Sequence, residues 1–164
     1  MPFPFSIRYN KRLKAIITPD NQQEALLYIQ KRIEEDKADN IVIENNQISY
    51  KGSTSNRRGL FGSVDDGVFN FKRKGNLSIL CYRINMKRVF TIILILCTLS
   101  ELTCIGSGDW WFGIIAFLWL GGINWIIAVT QHEAVAASIA IGIDDLFHVN
   151  PPKEEDKEKL KSWF

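Results

Sequence analysis

The sequence predicts an α+β cytoplasmic domain, one helix on a mainly antiparallel sheet with two hairpins. A two-helix transmembrane hairpin and a C-terminal helical segment follow it. Three observations carry this. Two long apolar runs, Val89–Ile105 and Trp110–Thr130, are separated only by the short linker Gly106–Asp109. Before them, apolar residues alternate in two stretches with turn residues at their centres. Charge is also partitioned: Met1–Arg88 holds 16 Lys/Arg against 9 Asp/Glu, whereas Val89–Pro152 has no Lys or Arg.

A spanning helix needs about 20 mainly apolar residues, because about 30 Å of hydrocarbon is crossed at about 1.5 Å per residue. The second run meets this. The first does once Gly106 and a residue or two before Val89 are counted, so the spans are expected at about 89–106 and 110–130. Lysines and arginines crowd both outer flanks, and the linker has none. Positive flanks stay cytoplasmic. Both termini are therefore expected inside and the linker outside, in an inner (plasma) membrane of bacterial type. The opening residues have neither the apolar core nor the small-residue cleavage site of a signal peptide. The organisation is then 1–88 as a basic α+β domain, 89–130 as the hairpin, and 131–164 as an amphipathic helix with a charged tail.

Within the first domain, Leu13–Thr18 is the strongest early strand by composition. Thr18-Pro19-Asp20 opens a helix over about 20–37, with Asp20 and Gln23 spaced as a capping box. Ala25, Leu26, Ile29 and Ile33 fall on one face at helical spacing. Asn45-Asn46 suits a two-residue hairpin turn, because Asn tolerates positive φ. That register sets Ile43 against Ile48 and Ile41 against Tyr50. In the second hairpin, Arg73-Lys74-Gly75 reads as a three-residue loop that sets Phe71 against Leu77 and Phe69 against Ile79. Leu80, Tyr82 and Ile84 then fall on the opposite phase. A strand apolar on both phases is covered on both sides. The helix is expected on one, and the membrane or the C-terminal segment on the other.

The chemistry is mostly negative. There is no Gly-rich phosphate loop, paired-cysteine metal motif or nucleophile elbow. His132 and His148 have acids nearby, but no metal-ligand spacing. Three cysteines, in a reducing compartment or lipid, are expected as free thiols. The chain is read as a non-enzyme with no cofactor and no metal.

Contact residues can still be nominated. Glu101 is the one ionisable group inside the apolar runs, and such a group is costly in lipid. Asn124 lies on the inner half of the second span, beside Gly121 and Gly122, which permit close helix approach. Aligning the inner ends places Glu101 opposite about Leu118, so Asn124 needs a partner outside the hairpin. A lipid or partner surface is assigned to Arg57, Arg58, Leu60 and Phe61 in the 51–67 loop. To it are added Lys72, Arg73 and Lys74, then Lys87 and Arg88 before the first span, and the terminal Trp163 and Phe164.

Two functional readings follow. The first is an integral membrane protein acting as an anchored interaction or accessory subunit through its cytoplasmic domain. Its partners are the lipid bilayer and a second copy or another membrane protein. The alternative is an oligomeric pore or effector with a ligand-sensing domain. Nucleic acid is not an expected partner, since the basic charge already suits an anionic leaflet.

Overall fold

Ile7, Tyr9 and Leu13 lie on one side of the first strand, β1 (Ser6–Leu13), and Arg8, Asn10 and Arg12 on the other, as strand pleating requires. The computed structural model describes residues 5–53, 60–104 and 111–147. The assignments made for Arg57, Arg58, His148, Trp163 and Phe164 lie outside these. After β1 come α1 (Pro19–Glu35), β2 (Asp39–Glu44), β3 (Gln47–Lys51), β4 (Asp66–Lys74) and β5 (Leu77–Asn85). The five strands form one antiparallel sheet in the order β1-β5-β4-β3-β2. Helices α2 (Lys87–Cys104), α3 (Trp111–Phe117) and α4 (Asn124–Leu146) complete the fold, with a π-helical segment Leu118–Ile123 joining α3 to α4.

The first strand is Ser6–Leu13, not the expected Leu13–Thr18. Its other polar residues point away from the core, and Lys11, on the core side, meets Glu133 of α4 at 3.0 Å. After it Ala15 and Ile17 are buried without joining the sheet, and Ile16 between them is exposed. Their backbone donors go to side chains instead: Lys14 and Ala15 donate to Asp144 Oδ1 at 2.8 and 2.9 Å, and Ile17 donates to Ser78 Oγ at 2.8 Å. A buried donor needs some partner, and a strand ladder is only one way to supply it.

Helix α1 starts two residues earlier than the Asp20–Gln23 box implied. Thr18 is the N-cap, Pro19 occupies the first turn, and the Asn21 side chain accepts from the Thr18 amide at 2.8 Å. Pro19 has no amide to leave unsatisfied there. Ala25, Leu26, Ile29 and Ile33 are all buried, as their spacing indicated.

The first hairpin turns at Asn45-Asn46, both at positive φ, with Ile43 opposite Ile48. A shift in register between Asp39 and Val42 ends the expected pairing before Ile41. β2 is an edge strand, so Ile43 is partly exposed and is not the core residue its phase suggested. The second hairpin differs more. Its turn is the two-residue Gly75-Asn76, Gly75 has φ of 62°, and Phe71 pairs with Leu80 and Phe69 with Tyr82. Relative to the expected register this is an odd shift, and an odd shift exchanges the faces of one strand. Phe69, Phe71, Leu80, Tyr82 and Ile84 therefore share one face, and the apparent change of phase disappears.

That face carries the core. Ile48, Tyr50, Phe69, Leu80, Tyr82 and Ile84 pack under α1 and under Ala136, Ile139, Ala140 and Ile143 of α4. The two helices were expected on opposite faces, yet both lie on the same one. The other face of β5 holds Cys81 and Arg83, and among the described residues no helix lies over it.

From Trp111 to Leu146 the chain is helical throughout. At about 1.5 Å per residue this run is about 54 Å long. Its second part docks on the sheet, starting at Ala128 and ending at Ile143. One helical stretch, Gly121–Leu146, is long and apolar enough to cross a membrane, and Phe90–Leu99 is a shorter apolar helix. Helix α2 packs beside α3, and its outward face exposes Ile92, Leu94, Ile95, Leu96 and Leu99. The first part of the long run likewise exposes Ile114, Ile115, Leu118, Trp119, Ile126 and Ile127.

Candidate functional site

Two joints tie the sheet to the apolar helices, and neither contains a flexible linker. The first is at α2. Only Met86 separates β5 from α2, and its amide donates to Phe5 O at 2.8 Å. The Arg88 amide donates to Asp65 Oδ2 at 2.7 Å, setting a carboxylate at the positive end of the helix. Phe5 and Phe90 meet edge to face at 5.4 Å. The sheet direction thus passes straight into α2.

The second joint is buried. Tyr50 and Tyr82 are joined through their hydroxyls, and Tyr82 Oη lies 2.8 Å from Nδ1 of His132 on α4. With Nδ1 as the acceptor, Tyr82 donates to His132 and accepts from Tyr50, so each hydroxyl spends its single proton. The chain crosses from β3 to β5 to α4. Tyr9 Oη donates to Val129 O at 2.9 Å. The contacts Tyr9–Val129, Lys11–Glu133 and Lys14–Asp144 advance together, so α4 runs parallel to β1. Close packing also sets two glycines. A Cβ at Gly67 would overlap the hydroxyl end of the Tyr50 ring, and one at Gly142 would overlap the Tyr28 hydroxyl, where α1 crosses α4.

Burial, aided by Glu133, pushes the Tyr9 hydroxyl up to about 12. Burial also raises Tyr50 and Tyr82 well above the ordinary phenol range. A phenol with a raised pKa keeps its proton in the folded state after the unfolded chain has lost it. Its stabilising contribution is therefore complete below pH 10 and falls as pH rises from 10 through 12. We expect the melting temperature to drop across pH 10–12. The drop should be shallower for Tyr9→Phe, which has no proton to lose there. A parent curve flat over that range would contradict the buried arrangement.

The residues nominated from sequence are distributed as follows. Gly121 is buried, and a Cβ there would meet Ile93 of α2 at 3.3 Å, so this glycine serves the packing of α2 against its own neighbour. Gly122 has open space beside it. Glu101 lies in the last turn of α2 and is partly exposed, and Asn124 opens α4. Phe61 is not a surface residue. It is fully buried, 4.8 Å edge to face from Tyr50 and 5.8 Å from His132, because the turn Leu60–Ser63 folds back onto the sheet. Lys72, Arg73 and Lys74 sit at the far end of the β4–β5 hairpin. Lys87 and Arg88 sit beyond its other end, eight residue steps or about 26 Å away along β5. Since α4 runs along the strands, one flat surface at the foot of the sheet does not reach both groups.

Tyr9, Tyr50, Tyr82, His132 and Asp144 had no signature in the sequence. Their partners are 32 to 130 residues apart. The one usable signal was His132 directly after an apolar run, followed by a further apolar repeat. Among the described residues no group of three His, Cys, Asp or Glu converges as a metal site would require. Comparison with protein-family models, with curated proteins and with solved structures returns no match.

Proposed function

We propose that this chain is a membrane-anchored interaction subunit. In this reading α2 and the first part of the long helical run form a transmembrane hairpin, and the sheet with α1 and the second part of that run forms a rigid cytoplasmic head. The observation that carries it is the division of one continuous helix. Apolar side chains are exposed along the part beside α2 and buried along the part beside the sheet. About 20 residues suffice for the hydrocarbon, and the rest of the run is matched by the sheet. The two joints have no slack, so a partner held by the head is held at a set height and angle to the membrane. Within the bilayer, the open side of Gly122 is where a second copy or another membrane protein packs.

Topology is the test. In a background without native cysteines, single cysteines at Asn46 and Ser107 are exposed in turn to a membrane-impermeant maleimide. Asn46 lies in the exposed first hairpin turn. Labelling of position 107 in intact cells, with position 46 reacting only after lysis, is the expected result. The reverse pattern overturns the orientation, and extraction of the protein by alkaline carbonate overturns the membrane anchor.

A further inference from the structure

The sheet face away from α1 and α4 contains a shallow recess of about 190 Å³. Its floor is made of short side chains: Cys81, directly across from Asn70, which is itself across from Gln47. Its walls are cations. Arg8 on β1 stands directly opposite Arg83 on β5, and Lys72 closes the far side. Among the described residues no acid lines it, and none of these three cations forms an ion pair.

Two features are unfavourable for the free protein. Like charges directly across an antiparallel pair destabilise it. Asn70 Oδ1 is also buried without a hydrogen-bond partner, and such an atom forfeits the desolvation cost of its position. An anion removes the first penalty, and a hydroxyl on the same molecule removes the second, because Oδ1 only accepts. Paired guanidinium groups match phosphate oxygens by geometry as well as charge. Among the described residues the lining has no aromatic ring to serve as the base-stacking platform of a single-stranded nucleic-acid site.

We propose that this recess binds a phosphate monoester that also carries a hydroxyl. Arg8 and Arg83 hold the phosphate, Lys72 supplies the third positive charge, and Asn70 Oδ1 accepts from the hydroxyl. Such a group occurs on soluble metabolites and on lipid headgroups. The site goes beyond the anchoring function and does not depend on it, because the recess belongs to the sheet alone.

The test uses the full chain in nanodiscs. In one arm, glycerol 3-phosphate is titrated calorimetrically into protein in neutral phosphatidylcholine. In the other, lysophosphatidic acid in the disc, a phosphate monoester with a free glycerol hydroxyl, is compared with phosphatidylglycerol, which is anionic without a monoester, and retained lipid is counted by native mass spectrometry. Saturable binding in either arm is expected, and the arm names the source. Arg8→Gln and Arg83→Gln should each weaken it at least ten-fold, and Lys31→Gln on the exposed side of α1 should not change it. Without ligand, Arg83→Gln should melt at or above the parent temperature, since it relieves the like-charge pair. Cys81 is also probed directly in a Cys97→Ser, Cys104→Ser background, where glycerol 3-phosphate or lysophosphatidic acid, whichever binds, should slow its alkylation. The proposal is overturned by no saturable binding in either arm, by equal binding in the arginine variants, by equal retention of phosphatidylglycerol, or by unprotected Cys81.

Discussion

Phe69→Ala is expected to destabilise the protein by about 3–5 kcal/mol, the range for removing a fully buried aromatic ring. Phe69 has no exposed surface, stacks on Tyr82 with centroids 4.0 Å apart, and stands opposite Ile48 on β3. It lies on a central strand, where the surrounding sheet cannot collapse to fill the void. Its loss also removes the packing that holds the Tyr82 hydroxyl on His132. Whole domains are stable by only about 5–15 kcal/mol, so the variant should show a large shift of the denaturation midpoint in mild detergent. Phe69→Leu, which retains most of the volume, should fall between it and the parent. A cost below about 1 kcal/mol for Phe69→Ala would mean that Phe69 is not enclosed between the sheet and the helices above it.

Ile139→Asp is expected to release α4 from the sheet. Ile139 is 1% exposed and lies among core side chains between α1 and the strands. An uncompensated charge there costs about 3–5 kcal/mol. The helix itself tolerates Asp poorly but not prohibitively, so the local result should be undocking of the second part of the run. Hydrogen exchange should rise at the Lys14 and Ala15 amides and in the last turns of α4, because Asp144 would no longer accept from those two amides. Exchange in α2 should change little, since its joint to β5 is separate. Unchanged protection of the Lys14 and Ala15 amides and of α4 in this variant would show that the helix does not depend on the sheet.

The open face gives these two variants a further contrast. Neither touches the recess lined by Arg8, Lys72 and Arg83, but Phe69→Ala loosens the central strands that set its walls, whereas Ile139→Asp acts on a helix packed on the opposite face. Recess binding should weaken in proportion to lost stability in Phe69→Ala, and stay near the parent value in Ile139→Asp if β4 and β5 remain paired.

What the sequence determined by itself was local. The amphipathic face of α1 followed from 3.6-residue spacing, and all four of its inward residues are buried. The Asn45-Asn46 turn followed from the tolerance of Asn for positive φ. The antiparallel pairing, the α+β class and the two apolar runs followed from composition and alternation. Tertiary structure decided the rest, because those features depend on partners remote in sequence. Two turns of different length were compatible with Arg73-Lys74-Gly75-Asn76, and only the helices above the sheet select the register that faces Phe69, Leu80 and Tyr82 inward. The polar stretch Arg8–Arg12 is a strand because one of its faces stays open and Lys11 meets Glu133. The short apolar segment after residue 131 gains its place by burying Ile139 and Ile143 on a sheet made more than 45 residues earlier. Burial of Tyr50, Tyr82 and His132 is settled by how three elements converge, and no local pattern encodes a convergence.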